Sequence, residues 1–175
     1  RLDLADFNPE AREANLWSRE QLTPTSRAYL EALPETMVQE AFTLAHGSPR
    51  HPIWEYLFYP YEATASFSFF STAICLVGHT HVPRIFQHAD PKRPSQALVI
   101  PEEKAVQLDS TRYIINPGSV GQPRDRDPRA AYLLLDTELR QFQHRRVAYD
   151  VAAVQELMLA RGLPRRQAMR LEVGW

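Results

Sequence analysis

Apolar residues recur at helical spacing through the first third of the chain, and two start signals set where the helices begin. Asn8 before Pro9 is an N-cap followed by proline at the first helical position, and Thr23 before Pro24 repeats the signal. The first helix would turn Ala11, Ala14, Trp17 and Leu22 toward a core. The second, stopped by Pro34, would do the same with Tyr29, Leu30 and Leu33, and the closeness of the two predicts an antiparallel pair. Then the period changes. Ala41-Phe42-Thr43-Leu44-Ala45 is a short, largely apolar run ending in the loop signal His46-Gly47-Ser48-Pro49, and Ala73-Ile74-Cys75-Leu76-Val77 is a second, ending in Gly78-His79-Thr80-His81. Both read as buried strands. The aromatic-rich segment from Trp54 to Phe70 fits neither period. Further strands are expected at 84–87, 97–100, 104–108, 112–116, 130–136 and 141–149, with Asp136-Thr137-Glu138-Leu139 as a hairpin connection. Asp150 caps a closing helix that runs through Arg161, with Gly162 at its end and Pro164 just beyond.

Length and composition narrow the class. A chain of 175 residues, 44% of them hydrophobic, can bury a real core, and without repeats or a long linker it reads as a single domain spanning 1–175. Lys and Arg number 20 against 21 Asp and Glu, so no overall field draws in nucleic acid, which is not expected as a partner. The four arginines between Arg161 and Arg170 read as a solvated face. Cys75 stands alone, which excludes an intramolecular disulfide and points to a reducing compartment. No apolar stretch approaches the roughly 18 residues that span a bilayer, and no signal-peptide layout is present, so a soluble, cytoplasmic protein without a membrane partner is expected. The chain opens at Arg1, without a methionine and without a strand to begin a sheet, which suggests that something lies upstream.

The chemistry sits at strand ends. His46 follows one buried strand, and His79 and His81 follow the other. In open α/β sheets, ligands bind beyond the carboxyl ends of the strands, so three imidazoles meet there if the two strands are parallel neighbours. Neutral imidazole is a ligand for Zn, Fe, Mn or Ni, while Gly47 and Gly78 allow tight turns beside the rings. No Asp or Glu pair offers an obvious oxygen bridge. His51, His88 and His144 lack a second ligand type at suitable spacing and read as surface or structural histidines. Asn116-Pro117-Gly118-Ser119-Val120-Gly121-Gln122-Pro123-Arg124 follows an apolar strand. Its backbone N–H groups suit an anion nest and Arg124 suits a bidentate phosphate contact, although Gly- and Pro-rich turns are also commonplace structural connections.

These three blocks, in this order, resemble the calcineurin-like metallophosphoesterases, and in particular the small bacterial phosphodiesterase branch related to diadenosine tetraphosphate hydrolases. The resemblance covers nearly the whole chain. It implies an α+β or α/β fold in which a two-sheet β-sandwich is flanked by helices, with two divalent cations beyond the strand ends, manganese favoured over Fe, Zn or Ni. By resemblance His46 and His79 are ligands of one metal, His81 is a ligand of the other, and Arg124 touches substrate. The family's amino-terminal Asp-x-His, Gly-Asp and Gly-Asn-His-Asp blocks do not occur, while Asp6-Phe7-Asn8-Pro9 is similar to the stretch just after the last of them. The chain thus looks like the C-terminal portion of such a domain, lacking its N-terminal strands and having no catalytic residue of its own to name.

The resemblance implies hydrolysis of phosphodiester or phosphoanhydride bonds in a small, nucleotide-like phosphorylated substrate by a hydroxide activated between two metals. Each histidine should be oriented by an acceptor, such as a backbone carbonyl, on its other ring nitrogen. The 175 residues alone are expected to be inactive, and their unpaired strand edges to be covered by the missing piece or by another copy in a homo-oligomer. The rival reading is a non-catalytic scaffold or partner-binding module on the same fold. Trp54, Tyr56, Phe58, Tyr59 and Tyr61 could stack a nucleobase, but are read first as core or dimer contacts.

Overall fold

A computed structural model describes residues 7–175. The opening Arg1-Leu2-Asp3-Leu4-Ala5-Asp6, where no strand is expected, lies outside the described residues. Helix α1 (Pro9–Gln21) starts where its sequence signal puts it: the Asn8 side chain accepts a hydrogen bond from the Ala11 amide at 2.9 Å. Helix α2 (Pro24–Glu31) is capped likewise, Thr23 Oγ1 accepting from the Ser26 amide at 3.1 Å. What they cover differs from expectation. Tyr29, Leu30 and Leu33 face solvent, Tyr29 at 66% exposure, and α1 packs against a C-terminal helix, α5 (Arg165–Met169), rather than pairing with α2.

The strands are β1 (Thr36–Gln39), β2 (Phe42–Ala45), β3 (Ile74–Leu76), β4 (Arg84–His88), β5 (Gln96–Leu98), β6 (Ala105–Gln107), β7 (Arg112–Asn116), β8 (Ala130–Asp136) and β9 (Gln141–Val147). They form a six-stranded sheet, ordered β1-β2-β3-β7-β4-β5, and a three-stranded sheet, ordered β6-β9-β8. Two sheets flanked by helices are the expected architecture. Helix α3 (Pro60–Ser66) and a 3-10 turn (Phe67–Phe69) occupy the ambiguous aromatic segment, and α4 (Val151–Ala160) is capped by Asp150, which accepts from the Ala153 amide at 2.9 Å. Two elements have no counterpart in the sequence reading. One is β1, which forms an antiparallel hairpin with β2, and the other is α5.

Alternation along the strands divides the core into two layers. Ile74, Ile85, Tyr113 and Ile115 point between the sheets, where they meet Leu108 and Phe142 from the smaller sheet's side. Their neighbours Cys75, Phe86 and Ile114 point the other way, onto Leu57, Ala63 and Phe67 under α3. Fully burying each large apolar side chain contributes roughly 1.5–3 kcal/mol, so β3, β4 and β7 are fixed from both faces. The inter-sheet layer is not filled throughout. On its β2–β8 side an apolar cavity of about 610 Å³ opens among Leu44, Leu76, Val120, Ala131 and Leu133.

Candidate active site

Strands β2 and β3 are parallel neighbours, with Phe42 opposite Ile74 and Leu44 opposite Leu76. Their carboxyl ends therefore release two loops side by side, and the Gly78 amide donates to the His46 carbonyl at 2.8 Å, tying one loop to the other. The side chains converge as well. His46 Nε2 lies 3.0 Å from His79 Nδ1, with the rings edge to face at 4.8 Å between centroids. His81 lines the same cavity, as does Arg124.

The strain in this turn falls on the functional residues. His79 (φ 62°) and His81 (φ 58°) both occupy the left-handed region, which costs a non-glycine residue of order 1–3 kcal/mol unless the surroundings enforce it. Gly78, expected to supply the tight turn, does not have a positive φ. Asn116 does the enforcing. At 2% exposure at the end of β7, its Nδ2 donates to the Gly78 carbonyl (2.6 Å) and to Thr80 Oγ1 (2.9 Å), while its Oδ1 accepts from the Gly118 amide (2.9 Å). Thr80 Oγ1 in turn accepts from the Val82 amide at 3.2 Å. One buried amide thus holds the histidine turn and the following glycine loop together. Gly118 has φ 93°, and a Cβ there would lie 2.9 Å from Ala131 Cβ and Pro83 Cγ.

His81 has the acceptor expected of a metal-binding histidine. Its Nδ1–H donates to the Gln122 carbonyl at 2.6 Å, which leaves Nε2 with its lone pair. His46 and His79 instead contact each other, and the buried Nε2 of His79 has no hydrogen-bond partner among the described residues. Burial, followed by the proximity of His46, Arg124 and His81, pushes the His79 imidazole down to about 4; the Trp54 backbone opposes that shift without meeting hydrogen-bond geometry. Burial also lowers His46 and His81, in the latter case against the Gln122 carbonyl. All three rings are neutral at pH 7, the form that binds metal.

Three neutral imidazoles suit a divalent transition metal, and an orphaned, buried ring nitrogen suits one too. The oxygen donors of a bimetallic centre are not supplied by these residues. Among the described residues no carboxylate lines the cavity, and no group of three or more His, Cys, Asp or Glu is placed to hold a metal. Glu55, between Trp54 and Tyr56, is engaged by Ser48 Oγ and by the Arg50 guanidinium.

The other histidines stand apart from this cluster. His51 is exposed, His88 Nε2 meets the Arg93 carbonyl at 3.1 Å, and the buried His144 meets the Pro117 carbonyl at 3.1 Å. The loop after β7 is not an open anion nest. Its Gly118 amide is taken by Asn116, its Gln122 amide by Ser119 Oγ (2.9 Å) and its Arg124 amide by the His81 carbonyl (3.2 Å). Arg124 itself is braced by Gln122 Oε1, at 2.9 Å from Nη2. The aromatic stretch is not core, since Trp54, Tyr56, Phe58, Tyr59 and Tyr61 are all exposed. Tyr56 stacks on His79 with centroids 4.0 Å apart, and Phe7, Trp54 and Tyr56 line the histidine cavity, whose volume is about 650 Å³. Arg170, from the end of α5, lines it too. The sequence offered one signal for that role, the arginine run, and solvation was the simpler reading of it.

No family model matches the chain. Solved structures do. A metallophosphoesterase from Sphaerobacter thermophilus is 42% identical and superposes with a TM-score of 0.88 over 100% of this chain and 71% of that one. A hypothetical protein from Pyrococcus horikoshii, 20% identical, shares the fold with a TM-score of 0.67 over 97% of this chain and 62% of its own. An uncharacterized protein of Methanocaldococcus jannaschii is 32% identical over 173 residues, which cover 96% of this chain and 68% of that protein. The chain belongs to the calcineurin-like metallophosphoesterases, a class of phosphoester hydrolases. Among the described residues no helix is long and apolar enough to cross a membrane.

Proposed function

We propose that this chain carries the histidine half of a dinuclear, metal-dependent phosphoesterase acting on phosphodiester or phosphoanhydride bonds of a small nucleotide-like substrate. The observation that carries the reading is the 3.0 Å approach of His46 Nε2 to His79 Nδ1, in one cavity with His81 and Arg124, on a chain of this family. His46, His79 and His81 would hold the cations, manganese foremost, as neutral nitrogen donors. When bound, the cations neutralise charge on the phosphoryl oxygens and supply an activated water as nucleophile. Arg124 orients a phosphoryl oxygen, and the Asn116 network keeps both loops in position while charge builds at phosphorus.

Among the described residues no carboxylate lines the cavity to bridge two metals, so these residues complete neither metal's shell. The expected result is that the purified 175-residue chain leaves bis-p-nitrophenyl phosphate intact in manganese, whereas a version extended upstream to the length of its relatives hydrolyses it and loses that activity with His79→Ala. Robust turnover by the 175 residues, or none by the extended protein, contradicts this. Elemental analysis of the extended protein separates enzyme from scaffold, because a partner-binding module has no need of two metal equivalents. A cytoplasmic setting accords with the unpaired, buried Cys75.

A further inference from the structure

The histidine cavity has two unlike walls. On one stand Arg124 and Arg170, and among the described residues neither guanidinium is ion-paired to a carboxylate. Arg170 is not adrift. Its Nε donates to the Trp175 carbonyl, the Trp175 amide returns a bond to the Arg170 carbonyl at 3.1 Å, and Gly174 is moored through the Arg126 amide at 2.9 Å. That hook fixes the side chain by one edge of its fork, and among the described residues the two terminal nitrogens have no acceptor. Burial, and then the neighbouring Arg124, lower its hold on its proton. Two like charges kept together and partly desolvated, with Glu10 near Arg170 but ion-paired to Arg166, are an arrangement that a bound anion relieves.

The other wall is aromatic. Trp54 packs against Phe7 with ring centroids 5.5 Å apart, and both line the cavity, while Tyr56 lies flat on His79. Trp54 is 44% exposed despite this packing, which leaves part of its ring surface to a flat ligand. The histidines lie in the same cavity as both walls.

We infer that Arg124 and Arg170 together clamp the phosphoryl oxygens of the substrate, while Trp54, backed by Phe7, stacks the flat ring of the group esterified to it. The pocket then takes a nucleoside phosphoester in one direction, anion to the arginines and base to the tryptophan. This rests on the reading of the cavity as a phosphoester site. Its test is equilibrium binding without added metal, so it stands or falls apart from hydrolysis.

Calorimetric titration with adenosine monophosphate, ribose 5-phosphate and adenosine resolves the two walls. The monophosphate binds about tenfold tighter than ribose 5-phosphate, from stacking, and adenosine alone binds far more weakly than either. Arg170→Met weakens both phosphates about tenfold. Arg170→Gln, which keeps a donor for the Trp175 carbonyl, does the same, so the result does not hang on the C-terminal hook. Trp54→Ala removes the advantage of the monophosphate and leaves ribose 5-phosphate unchanged. Arg166→Met removes the same charge from an exposed position on the same helix, where it is paired with Glu10, and weakens ribose 5-phosphate far less than either Arg170 variant. The inference is overturned if both Arg170 variants bind ribose 5-phosphate like the parent, if Arg166→Met weakens it as much as they do, if Trp54→Ala affects both phosphates alike, or if neither phosphate binds.

Discussion

Strand β2 joins two regions that are built on opposite terms. At its carboxyl end His46 enters a cluster in which almost every polar group is spoken for: Gly78 to His46, Asn116 to Gly78 and Thr80, Gln122 to His81 and Arg124. Along its flank β1 and the preceding α2 offer a surface of Tyr29, Leu30, Leu33, Met37 and Val38 with little packed on it, Val38 being 67% exposed. The difference shows where the site's precision resides. It comes from the β3–β7–β4 core and one buried asparagine, and the α2–β1 margin adds little to it.

Breaking the network should cost most. Asn116→Ala leaves the Gly78 carbonyl with the Thr80 amide as its donor, Thr80 Oγ1 with the Val82 amide, and the Gly118 amide without its acceptor, and is expected to lower unfolding free energy by about 2–4 kcal/mol, measured by urea denaturation. Gly118→Ala forces a side chain into the left-handed region against Ala131 and Pro83, and should cost about 1–3 kcal/mol in the same assay. Next comes pH. His46, His79, His81 and His144 all hold protons less well in the folded chain than the usual 6.5. As pH falls below about 6.5, unfolded imidazoles take up protons that folded ones refuse, so stability drops between there and about 4, the value for His79. A melting temperature that stays level from pH 7 to 5 would count against neutral, desolvated rings. The smallest effect belongs to the margin: Val38→Lys should move stability by no more than about 0.5 kcal/mol, and a larger loss would mean that this flank is packed after all.

Much of this was legible in the residues, for identifiable reasons. The apolar run ending at Val77 is buried on both faces, as a continuous hydrophobic run encodes, the one ending at Ala45 is only partly so, and their parallel pairing makes two distant histidine loops adjacent. Caps at Asn8, Thr23 and Asp150 are local chemistry and survive folding unchanged. Strand β1 was not legible, because Thr36–Gln39 is short, wholly exposed and defined by its partner rather than by its own pattern. Helix α5 was hidden since Pro164 reads as the end of one helix, yet it also precedes the next. The positive φ at His79 and His81 arises from the tertiary pull of Asn116, and no local signal carries that. Apolarity alone misplaced Tyr29 and Leu30, which face solvent, and it could not separate the exposed Trp54, Tyr56, Phe58, Tyr59 and Tyr61 from the buried Leu57 among them.

The account turns on whether His46, His79 and His81 donate ring nitrogens to divalent cations within their shared cavity. Zinc, which imidazole binds well, gives the most direct reading by calorimetric titration of the purified chain and its His79→Ala variant at pH 7.5. The account predicts saturable binding by the parent chain and a loss of at least about tenfold in affinity for the variant, with the fold intact by circular dichroism. Equal zinc affinity in the two proteins would contradict it.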